Sequence, residues 1–162
     1  VKVSLDTVET TATVMFIVAA ASIFGWMLTA TGVTAALAQW VLGFTKEAWV
    51  FLLLANLLML FVGCFLEPTA AITILVPLLL PIATQLGVDP VHFGLVMVLN
   101  LMIGLLHPPM GMVLFVLARV AKLSVERTTM AILPWLFPLL ASLVILTYVP
   151  QIGLWLPRTM GF

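Results

Sequence analysis

The stretch from Ala48 to Pro90 contains only two charged residues, Glu67 and Asp89. An apolar run of this length is much longer than the buried helix of a soluble domain, and a lipid bilayer is the solvent that accommodates it. The whole 162-residue chain agrees with this, because 64% of its residues are hydrophobic and only 7% are charged. We therefore predict an all-α integral membrane protein. Six basic residues balance six acidic ones, so no charge field favours nucleic acid as a partner.

Other apolar blocks predict further membrane segments. Residues 12–30 have the length of a transmembrane helix, which needs about 20 residues. Residues 32–44 are too few to cross and predict an interfacial helix. A final transmembrane helix is predicted over 131–156, although this stretch contains three prolines. The segments together predict a single transmembrane domain over 1–162, which we expect to be the C-terminal part of a longer protein.

The basic residues give an orientation. Three of them share the loop 119–127, which the positive-inside tendency places in the cytoplasm. Following the chain outward from this loop puts Lys2 on the same side, and Lys46 and Arg158 on the opposite side.

Residues 48–86 are compatible with two arrangements. They form either two full spans with Glu67 in an aqueous loop, or a re-entrant hairpin whose tip, the sequence GCFLEPT, stops within the membrane. Few polar residues flank the turn, and Pro77 and Pro81 should kink or break the second arm. Irregular backbone at membrane depth requires protein or a water-filled cavity around it. We favour the re-entrant hairpin.

Residues 91–121 are too many for one straight membrane helix, and the sequence HPPMG at 107–111 divides them. Two successive prolines followed by Gly111 favour real unwinding over a simple kink. Unwinding leaves carbonyls at the end of the first half and N–H groups at the start of the second, which attract cations and anions respectively. The sequence therefore predicts a broken transmembrane helix with a binding site at the break, the alternative being a structural kink.

Polar and small residues lie on narrow helix faces. Asn100, Gly104 and His107 share one stripe before the break, and Asn56 and Gly63 lie on one face of the first hairpin arm. The alternative explanation is helix packing, for which such residues are common in membranes. His107 is expected to cap freed carbonyls. No spacing of His, Cys or acidic residues matches a metal-dependent or nucleophilic enzyme motif, so we expect no enzyme and no cofactor.

The sequences PLLLPIATQLGVDPVHFG (77–94) and NLMIGLLHPPMG (100–111) together resemble motifs of the large membrane subunit, DctM type, of tripartite ATP-independent periplasmic (TRAP) transporters. The similarity extends weakly over nearly the whole chain. It implies one inverted-repeat half of an elevator-type transporter in the bacterial inner membrane, with the second re-entrant hairpin and the second broken helix.

The resemblance also implies a function. TRAP permeases import organic acids, such as C4-dicarboxylates or sialic acid, with Na+ as the coupling ion, and the expected partners are a periplasmic solute-binding protein, a small four-helix membrane subunit and the missing N-terminal repeat. Sodium would be held by backbone carbonyls near Gly63 and from Gly104 to Pro108. The candidate substrate- and ion-binding residues are Gly63, Cys64, Glu67, Thr69, Asn100, Gly104, His107, Pro108, Pro109 and Gly111.

His107 departs from the family pattern, in which Thr is more usual at this position. Because the chain matches only the second repeat, we expect that it does not transport alone. Two alternatives remain open at the level of sequence: an elevator carrier of another family without a binding protein, and a membrane scaffold that transports nothing.

Overall fold

A computed structural model describes residues 2–107 and 112–161 of the chain, and in these ranges all regular elements are helices. In chain order they are α1 (Lys2–Ala30), α2 (Val33–Phe44), α3 (Ala48–Gly63), α4 (Pro68–Gln85), α5 (Pro90–Gly104), α6 (Met112–Ala121), α7 (Val125–Tyr148) and α8 (Pro150–Thr159).

Helix α5 lies at the centre of the fold, in contact with α3, α4, α7 and α8. Its side chains Phe93, Val96, Met97 and Leu101 are almost completely buried. Helices α1 and α2 pack on the other side of α4, and α6 packs on α7. The hairpin arms α3 and α4 are thus enclosed by protein for much of their surface, whereas α5 keeps one exposed apolar stripe formed by Val91, Leu95, Val98 and Met102.

Helix α4 continues through Pro77 and Pro81 from Pro68 to Gln85, so the two prolines do not break this arm. Each proline leaves the carbonyl four residues earlier without its helical donor. At Pro77 the neighbouring helix α1 approaches through Gly25, where an added Cβ would lie 3.3 Å from the Pro77 ring and 3.7 Å from the Thr73 carbonyl oxygen. Protein packs closely against this irregular point, as a helix in a membrane requires.

The outer surface of the fold is apolar. Large side chains such as Phe16, Trp26, Trp135 and Phe137 are mostly exposed, an arrangement that a soluble monomer avoids. By length and composition, α4 and α7 are able to cross a membrane. In α7 the buried residues are few, which leaves most of its surface for contact with lipid.

Helix bounds differ from the sequence expectation in three places, one of which is the start of α7 at Val125 and not at residue 131. Helix α1 begins at Lys2 and not near residue 12; its first turns are polar, and a helix is free to continue beyond the apolar layer. The stretch 131–156 is divided into α7 and α8, since Pro150 has no N–H to extend the helix and occupies the first position of α8 instead.

The two stretches for which special membrane topology was predicted each contain two helices. Within 48–86, α3 and α4 are joined by a turn at Cys64–Glu67. Within 91–121, α5 ends at Gly104 and α6 begins at Met112, and residues 108–111 between them lie outside the described part of the chain. The depth of both stretches in the bilayer, and therefore the re-entrant and broken topologies, stay predictions.

Candidate functional site

Two glycines bring the ends of α3 and α5 into backbone contact. A Cβ added to Gly104 would lie 2.8 Å from the Gly63 Cα and 2.9 Å from its carbonyl carbon. A Cβ added to Gly63 would meet the Gly104 Cα and the Leu101 carbonyl oxygen, both at 3.3 Å. Real Cβ atoms do not approach backbone as closely as 2.8 Å, so residue 104 has to be glycine for the two helix ends to meet in this way.

The contact joins two helix C-termini. Gly63 is the last residue of α3 and Gly104 the last residue of α5. The unpaired carbonyls of a helix C-terminus carry a partial negative charge, and two such ends side by side favour a cation between or near them. Cations are therefore the ligand class that this junction attracts.

Backbone hydrogen bonds in the turns after both helices already occupy some of these carbonyl oxygens. The Val62 carbonyl accepts from the backbone N–H groups of Phe65 and Leu66. The Gly104 carbonyl, predicted to be freed, accepts from the His107 N–H at 3.1 Å. A carbonyl oxygen has two lone pairs, so one such bond leaves it able to ligate an ion. The backbone of His107 thus closes the last turn of α5, and its side chain is half-buried.

A buried polar network lies on the same helices before the glycine contact. The Asn100 Nδ2 donates to the Asn56 side-chain oxygen at 2.6 Å and to the Asn56 backbone carbonyl at 3.0 Å. The Asn56 Nδ2 donates to the Thr147 hydroxyl at 3.0 Å, and that hydroxyl donates to the Leu143 carbonyl. The network therefore ties α7 to both α3 and α5.

His92 extends this network at its other end. Its Nε2 lies 3.1 Å from the Thr147 carbonyl oxygen, and only 3% of the residue is exposed. Because a carbonyl can only accept, Nε2 carries the hydrogen of this bond and Nδ1 is an acceptor in the neutral ring. Within the described residues no partner satisfies His92 Nδ1.

The Asn100 side-chain oxygen is the second unsatisfied atom of the network. Asn100 is completely buried, and no group in the described ranges donates to its Oδ1. A buried polar atom without a partner is costly and calls for an explanation, such as a bound ion or water. An amide oxygen next to carbonyl-rich helix ends suits a hard cation such as Na+. No group of three His, Cys, Asp or Glu residues in the described ranges could hold a transition metal.

Glu67 caps the start of α4. Its carboxylate accepts from the Ala70 backbone N–H at 3.1 Å and from the Thr69 hydroxyl at 2.8 Å. A carboxylate at this position satisfies an unpaired N–H and complements the positive end of the helix dipole. Glu67 therefore has local hydrogen-bond partners. Cys64 precedes it in the same turn and is buried, with its thiol sulfur 3.2 Å from the Leu60 carbonyl oxygen.

The structure brings some of the predicted residues together. Gly63 and Gly104 are in contact, and Glu67 and Thr69 form a pair. In the described part of the chain no hydrogen bond joins that pair to Asn100. Pro108, Pro109 and Gly111 lie outside the described residues.

Sequence reasoning missed the roles of His92 and Thr147. Thr147 lies on no stripe of polar residues, whereas His92 lies eight residues before Asn100 on the same row of i, i+4 positions, so its position carried a signal that was not used. Asn56 was recognised on the face of α3 that also contains Gly63, and its partner Asn100 on the face of α5 that also contains Gly104. Pairing these two faces would have predicted the Asn56–Asn100 contact.

Comparison with known proteins identifies the family of this chain. The family model described as "Tripartite ATP-independent periplasmic transporter, DctM component" matches residues 1–152. The C4-dicarboxylate TRAP transporter large permease proteins DctM of Rhodobacter capsulatus and Pseudomonas aeruginosa are 38% and 43% identical to this chain, over 99% of its length in both cases. The sialic acid TRAP transporter large permease protein SiaM of Vibrio cholerae is 43% identical over 98% of the chain.

The chain spans 36%, 38% and 37% of the lengths of these three relatives. These relatives are named as transporter permeases, and the alignments cover nearly the whole chain, including the segments that form α3 and α5. Because the family model also covers all but the last ten residues, the chain belongs to the DctM component family of tripartite ATP-independent periplasmic transporters.

Proposed function

We propose that the protein containing this chain is the large permease subunit of a sodium-coupled secondary transporter that imports organic acids. C4-dicarboxylates or sialic-acid-like compounds are the proposed substrates, in keeping with the names of the relatives. A periplasmic solute-binding protein delivers the substrate, and a small four-helix membrane subunit completes the complex in the bacterial inner membrane. The carrier works by an elevator movement, and the other repeat of the permease supplies the rest of the site.

The observation that carries the sodium proposal is the junction of α3 and α5. Two helix C-termini meet at Gly63 and Gly104, and the buried Asn100 Oδ1 nearby on α5 has no donor among the described residues. A sodium ion supplies the positive charge that both features favour.

The solute carboxylate needs N–H groups at a helix N-terminus. The first turn of α4 is already occupied by the Glu67 carboxylate, which accepts from Ala70. A solute anion would meet repulsion from Glu67 there. We therefore assign the solute carboxylate to the N-terminal end of α6, which begins at Met112.

Uptake by the full-length permease tests this proposal. The permease is reconstituted in liposomes with its small subunit and binding protein, with and without an inward sodium gradient. We expect Asn100→Leu, which keeps the branching at Cγ but replaces the amide by two methyl groups, to raise the sodium concentration for half-maximal uptake about tenfold, since one lost ligand costs on the order of 1.4 kcal/mol. Gln85→Leu is the matched control because it removes an exposed amide at the end of α4.

A second measurement separates sodium binding from folding. In detergent, Na+ should stabilise the wild-type permease against thermal unfolding more than K+ does, because a ligand stabilises the state that binds it. Asn100→Leu should remain folded and lose this difference. Uptake that ignores sodium in the wild type would refute the coupling, and an unchanged sodium dependence in Asn100→Leu would refute the role of Asn100.

A further inference from the structure

A cavity of about 380 Å³ lies at the opposite end of α3 and α5 from the glycine contact. Its walls are the first turn of α3, the connection between α4 and α5, the last turn of α7, and α8. The polar side chains that line it include the Asp89 carboxylate, the His92 ring and the Arg158 guanidinium. The cavity is separate from the proposed ion site and contains none of the residues assigned to it.

The charges at the cavity consist of one anion and one cation. The Oδ1 atom of Asp89 accepts from the backbone N–H groups of Val91 and His92 at 2.9 and 3.1 Å, which fixes the carboxylate at the start of α5. Asp89 and Arg158 form no ion pair with each other or with any other described residue. Both side chains can therefore bind a ligand that has one positive and one negative group.

The His92 ring forms part of the same wall. Its Nε2 hydrogen bonds to the Thr147 carbonyl, and its Nδ1 has no partner in the described ranges and almost no exposed surface. The ring therefore shapes the cavity but presents no acceptor to it. The groups that can bind a ligand here are Arg158, which pairs with a negative group, and Asp89, which pairs with a positive group.

The aromatic residues around the cavity place it at the level of lipid headgroups. Trp49 and Tyr148 line it, and the Tyr148 hydroxyl donates to the Trp49 carbonyl at 3.4 Å. Trp155 on α8 is exposed close by in the chain. Trp and Tyr concentrate at the interface between membrane and water, and α7, which is long enough to span, ends at Tyr148.

We propose that this cavity binds the headgroup of a phospholipid with a primary ammonium group, as in phosphatidylethanolamine. The phosphate pairs with the Arg158 guanidinium, whose planar donors match phosphate oxygens. The ammonium donates to the Asp89 carboxylate. Choline headgroups have the same charges but no N–H donor, and glycerol headgroups have no positive charge for Asp89, so both fit less well.

Lipid retention by the purified full-length permease tests the assignment, independently of any transported solute. The permease is exchanged into detergent with equal amounts of phosphatidylethanolamine, phosphatidylcholine and phosphatidylglycerol of identical acyl chains, and bound lipid is measured by native mass spectrometry. We expect retention of phosphatidylethanolamine above the other two, and a loss of about tenfold in Arg158→Gln. Arg127→Gln, at the opposite end of α7, is the matched control and should retain the lipid.

Asp89→Asn sharpens the test because Asn keeps the oxygen that caps α5 but removes the charge. This variant should stay folded and lose the preference for phosphatidylethanolamine over phosphatidylglycerol. Equal retention of the ethanolamine and choline lipids by the wild type, or full retention by Arg158→Gln, would overturn the proposal. So would equally tight binding of soluble glycerophosphoethanolamine, since the site would then select a free phosphate compound and not a membrane lipid.

Discussion

Replacing Gly104 by alanine should destabilise the junction of α3 and α5. The new Cβ would stand 2.8 Å from the Gly63 Cα, whereas ordinary contacts between carbon atoms are about 3.5 Å or longer. The obstacle is backbone, so no side-chain rotation relieves it and the helix ends must separate. Overpacking of this kind costs about 1–3 kcal/mol, and the better helix propensity of alanine returns at most about 1 kcal/mol. We expect a net loss of about 1–2 kcal/mol.

The free energy of unfolding of the full-length permease in mixed detergent micelles measures this loss. Gly94→Ala is the matched control, because Gly94 lies on the same helix and a Cβ there meets no atom within 4 Å. This control should be neutral or slightly stabilising. Gly63→Ala should fall between the two, since its closest contacts are 3.3 Å. Equal stability of Gly104→Ala and Gly94→Ala would refute the steric argument.

Two further variants test the polar contacts of the fold. Thr147→Val preserves the shape of the side chain but removes the acceptor of the Asn56 amide. The unfolding free energy should therefore fall by about 1 kcal/mol. Unchanged stability would mean that Asn56 finds another acceptor. Glu67→Ala removes the acceptor of the Ala70 N–H and should cost the first turn of α4 about 1 kcal/mol, seen as roughly fivefold faster hydrogen exchange of that amide. Glu47→Ala is its control, because Glu47 precedes α3 without a side-chain cap bond, and equal exchange in both variants would contradict the capping role.

Much of the fold could be predicted from sequence because apolar blocks and prolines carry strong local signals. The helix expected over 32–44 is α2 at Val33–Phe44, and its interfacial position stays a prediction; the turn expected around Glu67 joins α3 to α4. The last span was predicted less well. Hydropathy continues through Pro150, so the apolar block hid a boundary that the backbone of proline imposes.

The site was predictable only in part. Gly63, Asn100 and Gly104 were found because small and polar residues stood out at helical spacing on apolar helices. His92 and Thr147 were not, since their roles depend on α5 and α7 lying side by side, which no local pattern specifies. The capping of α4 by Glu67 was accessible in principle: an acidic residue directly before a proline that starts a helix is a common N-terminal signal.

The contact between Gly63 and Gly104 also restricts which substitutions this sequence can accept. The two positions share one gap, so the clearance available to each depends on the residue at the other. A lone substitution at 104 meets the backbone of α3, and a compensating change has to move a whole helix and not a side chain. Few single substitutions at this junction are therefore compatible with the fold, and the distance between the backbones of α3 and α5 stays fixed.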